Sequence, residues 1–295
     1  MSSVKKNHLR EFYDKNYKPL ALLPVLLLIA CLGIIAFNYF STGELITRDI
    51  TLKGGVSIIV TPTNPVNTDD IGKTLRAQHP DLQIETRTLG GTGFIVESDT
   101  VDPAKIDGLI KSISTNLGGL TKEQYSVQVV GSSLGESFFR EAVFAMILAF
   151  VFMALIVMVY FRNFIPSLLV IFAGFSDIAM PFAVMILFKI KLSTAGIAAF
   201  LMLIGYSVDT DILLTSRVLR AKEGTVFENI LSAMRTGLLM TLTAIAVVLI
   251  AYFFSDADTL KQIMLILAIG LGFDIINTWL SNAGLLRWYL EMKAR

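Results

Sequence analysis

Residues 201–220 read LMLIGYSVDTDILLTSRVLR, and this stretch decides what kind of molecule the chain is. Its first half belongs to an apolar segment long enough to cross a bilayer, yet Asp209 and Asp211 fall inside the same run. A carboxylate at the centre of a bilayer helix costs roughly 2.5–3.5 kcal/mol on insertion scales, so two in one helix demand partners, protonation or a water-lined interior. At about 100° per residue, Ser207, Asp211 and Thr215 stack on one face, while Asp209 lies about 200° from Asp211. Such a helix shows polar groups in two directions. A helix facing only lipid could not.

Composition supports a multi-span membrane protein: 54% of the residues are hydrophobic and only 17% are charged. The net charge of +1 leaves no electrostatic case for nucleic acid as a partner. The single cysteine, Cys31, excludes an intramolecular disulfide and a cysteine-based metal site. No Walker-type phosphate loop occurs among the glycines, so ATP hydrolysis has no support. No cofactor, metal or catalytic residue is expected.

Residues 1–19 carry Lys5, Lys6, Arg10, Lys15 and Lys18 and read as a cytoplasmic N-terminus. The apolar run 20–40 is too long for a signal peptide and ends on Asn38, Tyr39 and Phe40, so it reads as a retained first transmembrane helix. From 41 to 136 the composition becomes that of a soluble domain. Gly54-Gly55 opens a β-rich run, residues 68–78 read as a helix, and 82–88 and 94–97 read as strands about the Gly90–Gly93 turn. Asp102-Pro103 marks a helix start and 125–130 alternates as a last strand. The order βαββαβ is the ferredoxin-like pattern. Five further apolar runs, near 139–161, 164–188, 193–215, 236–255 and 262–286, complete a six-helix membrane protein with a five-helix block over 139–286. Arg162, Arg217, Arg220, Lys222, Arg235, Arg287, Lys293 and Arg295 fall on the side of the N-terminus. The opposite short loops hold only Lys189, Lys191 and Lys261. The bias predicts both termini in the cytoplasm, with 287–295 the C-terminal tail and the α+β domain outside.

Asp209 and Asp211 are not alone. Asp177 lies in mid-run, and Asp274 lies three residues before Asn277 in another. No Lys or Arg falls at similar depth. Desolvation disfavours the charged form of an unpaired carboxyl group, and a group that gains and loses a proton is what a proton relay needs. The proton-pathway candidates are therefore Asp209, Asp211, Asp274 and Asp177, in that order, with Arg235 beside the fifth run. The bland alternative is a neutral Asp tying packed helices together, strongest for Asp177. For Arg235 it is an anchor at the cytoplasmic interface.

This layout resembles the SecD/SecF family of protein-export membrane proteins in its SecF-like archaeal form, within the RND superfamily. The resemblance rests on Gly205-Tyr206-Ser207, Arg217, Arg235-Thr236 and Gly54-Gly55, and it covers nearly the whole chain. Where bacterial members commonly read Asn-Asp-Thr, this chain reads Asp209-Thr210-Asp211. Asp209 takes the place of Asp in the Val-Asp pair of the SecD-like half. What the resemblance implies is proton-driven assistance to Sec-dependent export. It implies a SecD-like subunit, a SecY-type translocon, the unfolded exported polypeptide and membrane lipid as partners. Two rivals remain: a small-molecule or lipid exporter of the same superfamily, and an intramembrane aspartyl protease built on a shared-proton dyad.

Overall fold

The computed structural model describes residues 2–64, 66–89, 93–221, 223–255 and 257–293. The Gly90–Thr92 part of the expected turn, Lys222 and Arg295 lie outside the described residues. Two compact units are present: residues 48–144 with 191–194, and the remainder of the chain.

The larger unit is helical. Its elements are α1 (Ser2–Thr42), most of α5 (Ser132–Phe161), α6 (Phe164–Leu187), α7 (Thr194–Arg220), α8 (Val226–Phe254) and α9 (Asp258–Ile276). A π-helical turn, Asn277–Asn282, leads from α9 into α10 (Ala283–Lys293). Six candidate spans result, the sixth running through α9, the π turn and α10. This is a multi-pass membrane protein. Burial sorts the spans: 56%, 50% and 44% of the most apolar window is buried in α6, α7 and the last span, against 11% and 17% in α5 and α8. The first three therefore make the interior of the unit. The outer helices show large apolar side chains, Val159 of α5 at 70% and Phe253 of α8 at 75% exposure, as lipid contact requires. Small residues allow the close approaches: a Cβ on Gly237 would lie 2.3 Å from the buried Trp279 ring.

Most helices run past the apolar stretches that announce them. The fifth span begins at Val226, not near 236, because Thr225 caps it and Glu228 returns the bond in a capping box. Arg235 consequently lies inside α8 and not at its start. The last span continues through its polar π turn to Lys293.

The smaller unit holds α2 (Ile50–Lys53), β1 (Gly55–Val60), α3 (Thr68–Gln78), β2 (Ile84–Thr88), β3 (Phe94–Ser98), α4 (Pro103–Asn116) and β4 (Tyr125–Val130). The sheet order is β2-β3-β1-β4, with every neighbouring pair antiparallel. Val56, Ile58 and Val60 of β1 point to the same face as Phe94 and Val96 of β3. They pack on Ile71 and Leu75 of α3 and Ile106, Leu109 and Ile113 of α4, the buried stripes of the two helices. Asn67 caps α3 and Asp102 caps α4, each through a side-chain oxygen. Gly54 and Gly55 open β1 at φ +86° and +131°, where L side chains are strained, and a Cβ on Gly55 would lie 2.3 Å from the Ser98 carbonyl oxygen.

The other face carries a network of charges. Arg87 is bonded to Glu97, and Lys191 lies 2.5 Å from both Glu97 and Glu85. Burial works to raise the Glu97 carboxyl, but Arg87 and Lys191 together hold it below the usual range. Burial, with Glu97 nearby, pushes Asp49 up to about 6. Residues 191–194 join this unit through backbone and side chain: Asp49 N donates to the Leu192 carbonyl at 2.8 Å, and Thr194 N donates to Thr51 Oγ1 at 3.2 Å.

Two outcomes follow for this unit. Gly55→Ala is expected to cost about 2 kcal/mol or more, read as a lower melting temperature and faster proteolysis within 48–144. Between about pH 4 and 6 the folded unit holds a proton on Asp49 that the unfolded chain releases, so Asp49 lowers stability as pH rises through that window. Asp49→Asn should remove that fall, worth on the order of 2 kcal/mol, in denaturation curves taken across the window.

Candidate functional site in the helix bundle

Three of the four membrane carboxylates meet in the interior of the helical unit. Asp177 of α6, Asp211 of α7 and Asp274 of α9 are each 0% exposed. The α7 residues facing inward, Ser207, Thr210, Asp211, Leu214, Thr215 and Val218, recur at helical spacing and form one buried stripe. The π turn supplies the rest. It presents Asn277, Thr278, Ser281 and Asn282 to the interior, all nearly or fully buried.

The partners of the carboxylates are hydroxyls and amides. Asp177 accepts from the Ser207 hydroxyl and from Asn277 Nδ2 at 2.6 Å. Asp274 accepts from Thr210 Oγ1 at 3.0 Å. Asp211 accepts from Asn282 Nδ2 at 2.7 Å. Thr278 Oγ1 stands 3.0 Å from Asp211 Oδ1 and 3.1 Å from Asp274 Oδ1, so one hydroxyl proton bridges two acids. Among the described residues, no Lys or Arg pairs with any of the three. Asp211 and Asp274 share the Thr278 hydroxyl, while Asp177 lies in the same interior with its own donors, Ser207 and Asn277. Buried carboxyl groups so arranged can hold protons, and the shared hydroxyl gives a proton a route between the two acids it joins.

Asp209 is not part of this network. It sits on the exposed face of α7 with Met202, Gly205 and Tyr206, at the three- and four-residue spacing of a single stripe. A Cβ on Gly205 would meet nothing within 4 Å. Arg235 is likewise exposed on α8. Arg217, at the end of α7, donates to the Ser232 carbonyl at 2.9 Å and to its hydroxyl at 3.0 Å, and so pins α7 to α8. Of the motif residues, Ser207 therefore serves the buried network, Arg217 ties helices, and Gly205 and Tyr206 face outward. Gly54 and Gly55 belong to the smaller unit. Thr278 and Asn282 were not legible as site residues. Their signal is the recurrence of polar residues at 277, 278, 281 and 282 within an apolar span.

A membrane protein with six apolar helices, a carboxylate-rich interior and a small antiparallel sheet is the class these features define. Residues 109–292 match the model of the family "Protein export membrane protein SecD/SecF, C-terminal". The chain belongs to that family. It is 36% identical over 286 residues to the protein-export membrane protein SecF of Methanothermobacter thermautotrophicus, covering 95% of each chain. To SecF of Methanocaldococcus jannaschii it is 37% identical over 287 residues, covering 95% of this chain and 99% of the relative. A solved structure of SecDF, a translocon-associated membrane protein from Thermus thermophilus, shares the fold at a TM-score of 0.76 and 19% identity. The match covers 94% of this chain and 38% of that one.

Removing the Asp177 side chain strands two buried donors, so Asp177→Ala should destabilise the protein by about 1–3 kcal/mol. Asp177→Asn keeps an acceptor for one of them and should cost less. Thermal unfolding of the detergent-solubilised protein measures the difference.

Proposed function

We propose that this protein is an auxiliary subunit of the Sec protein-export machinery, working with a SecD-like partner and drawing on the proton gradient. Family membership supports the export role. The observation that carries the partner reading is the outward stripe of α7. A carboxylate facing lipid at mid-membrane is costly, and here it stands with a glycine that leaves open space for a neighbouring helix. A second six-helix protein covering Met202, Gly205, Tyr206 and Asp209 would take Asp209 out of lipid. It would also give Arg235 a polar surrounding. The solved SecDF chain, of which this chain matches 38%, has room for such a half.

In this reading the βαββαβ unit is a ferredoxin-like insertion outside the cytoplasmic membrane, with both termini inside, as the Lys/Arg bias supports. Proton entry and release at Asp209 shift the packing of α7 against the partner. The buried network of Asp211, Asp274 and Asp177 is the second station for protons. The unfolded exported polypeptide, close to a SecY-type channel, is the substrate. An exporter of small molecules is the weaker reading, because the relatives matched over nearly their full length are protein-export proteins.

Asp209→Asn keeps the size and a hydrogen bond but cannot titrate. It should assemble normally and lower gradient-driven export by about tenfold or more, measured as release of a secreted reporter from energised vesicles. Full export would remove Asp209 from the proton path. Cysteines placed at 202, 205 and 209 should crosslink to a SecD-like protein. Crosslinks only between identical chains would replace the heteromeric model with a homodimer.

A further inference from the structure

Where α5 and α7 end and α8 begins, Tyr160, Ser216, Arg217, Arg220, Ala221 and Asn229 line an open cavity of about 380 Å³. Two guanidinium groups share it. Among the described residues, no carboxylate lines it or pairs with either of them.

Both arginines are held in place. Arg217 Nη1 donates to the Ser232 carbonyl at 2.9 Å and to its hydroxyl at 3.0 Å. The Arg220 guanidinium lies 4.8 Å from the centre of the Tyr160 ring, a cation–π contact that orients its plane. The two stand three residues apart and so lie on one side of α7. Planar guanidinium forks match pairs of phosphate oxygens, and here the ordering cost is partly met beforehand. Asn229 Nδ2 is fixed too, donating to the Glu223 carbonyl at 3.3 Å, and its amide has a second hydrogen to give. The wall is therefore built of donors and positive charge, as an anion requires.

Position selects the source of that anion. Tyr160 is the penultimate residue of one apolar span and Arg220 the last of another. Interfacial tyrosines and lipid headgroups occupy that depth. Along α5, Phe152, Ile156 and Val159 are exposed at four- and three-residue spacing, a stripe that runs from beside Tyr160 into the apolar stretch. A free phosphate would leave the stripe unused. A phospholipid brings a charged head for the cavity and acyl chains for the stripe.

We propose that this cavity binds the phosphate headgroup of an anionic phospholipid, with Arg217 and Arg220 on the phosphate and the acyl chains along α5. Basic cavities between helix ends recognise anionic headgroups by this chemistry. The site needs only a chain that spans the membrane, so it stands or falls separately from proton-driven export.

The full chain, purified in a neutral detergent, is titrated with phosphatidylglycerol, phosphatidylcholine or inorganic phosphate, and bound lipid is counted by native mass spectrometry. One phosphatidylglycerol should be retained at a concentration about tenfold lower than phosphatidylcholine requires, and inorganic phosphate should not displace it at equal concentration. Arg220→Gln should abolish that preference while leaving the melting temperature without lipid unchanged, because Arg220 is exposed. Should this variant fail to fold, Arg220→Lys decides: it keeps the charge, gives up the fork, and should weaken phosphatidylglycerol retention by about threefold or more. Equal retention of the two lipids would overturn the proposal. Displacement by inorganic phosphate would make the cavity a free-anion site and overturn the lipid assignment. Retention untouched in whichever Arg220 variant folds would place the lipid elsewhere and overturn the site.

Discussion

Three carboxyl groups share an apolar interior with no cationic side chain paired to them among the described residues, and much of the helical unit is arranged around that. Coulomb interactions strengthen as the dielectric falls, so neighbouring acids inside a bundle cannot all stay ionised without help. The help on view is a set of hydroxyls and amides drawn from α7 and the π turn. That explains why α7 keeps Ser207 and Thr210 on its inward face where a lipid-facing helix would have leucine or valine. The last span contributes likewise: Asn277, Thr278, Ser281 and Asn282, one and four residues apart, share its inward face.

The two polar directions of α7 were readable from a few lines of helical geometry, and the structure separates them: Asp211 inward, Asp209 outward. Which direction meets the other acids was not readable. The angle between two residues of one helix says nothing about which neighbour lies on which side, and here the neighbours come from residues far apart in sequence. Asp274 and Asn277 stood out by their charge and polarity in an apolar run. Thr278 and Asn282 carry no charge, and their only signal is the recurrence of polar residues at 277, 278, 281 and 282, which share one helical face. The strands and helices of the smaller unit were legible from alternation and from capping residues such as Asp102. The role of Lys191 was not. As one of three lysines in short loops it carried information about orientation, yet its side chain is held by Glu97 and Glu85 of the sheet.

Residues 191–194 show how few contacts bind a short, distant segment into the smaller unit. The ion cluster joins buried Glu97 to Lys191 and to a part-exposed Arg87, and desolvating Glu97 and Lys191 is costly, so it adds specific geometry more than stability. The backbone bond from Asp49 to Leu192 and the bond from Thr194 to Thr51 then fix the register. Thr194 is also the first residue of α7, the helix that carries both Asp209 and Asp211.

The outward stripe of α7 has a bearing on the life of the protein before it assembles. A copy without a covering helix holds Asp209 against the acyl chains, where the bilayer must thin, admit water or let the helix tilt to hydrate it. Such a copy bears the cost of an uncovered membrane carboxylate until a helix packs on the stripe.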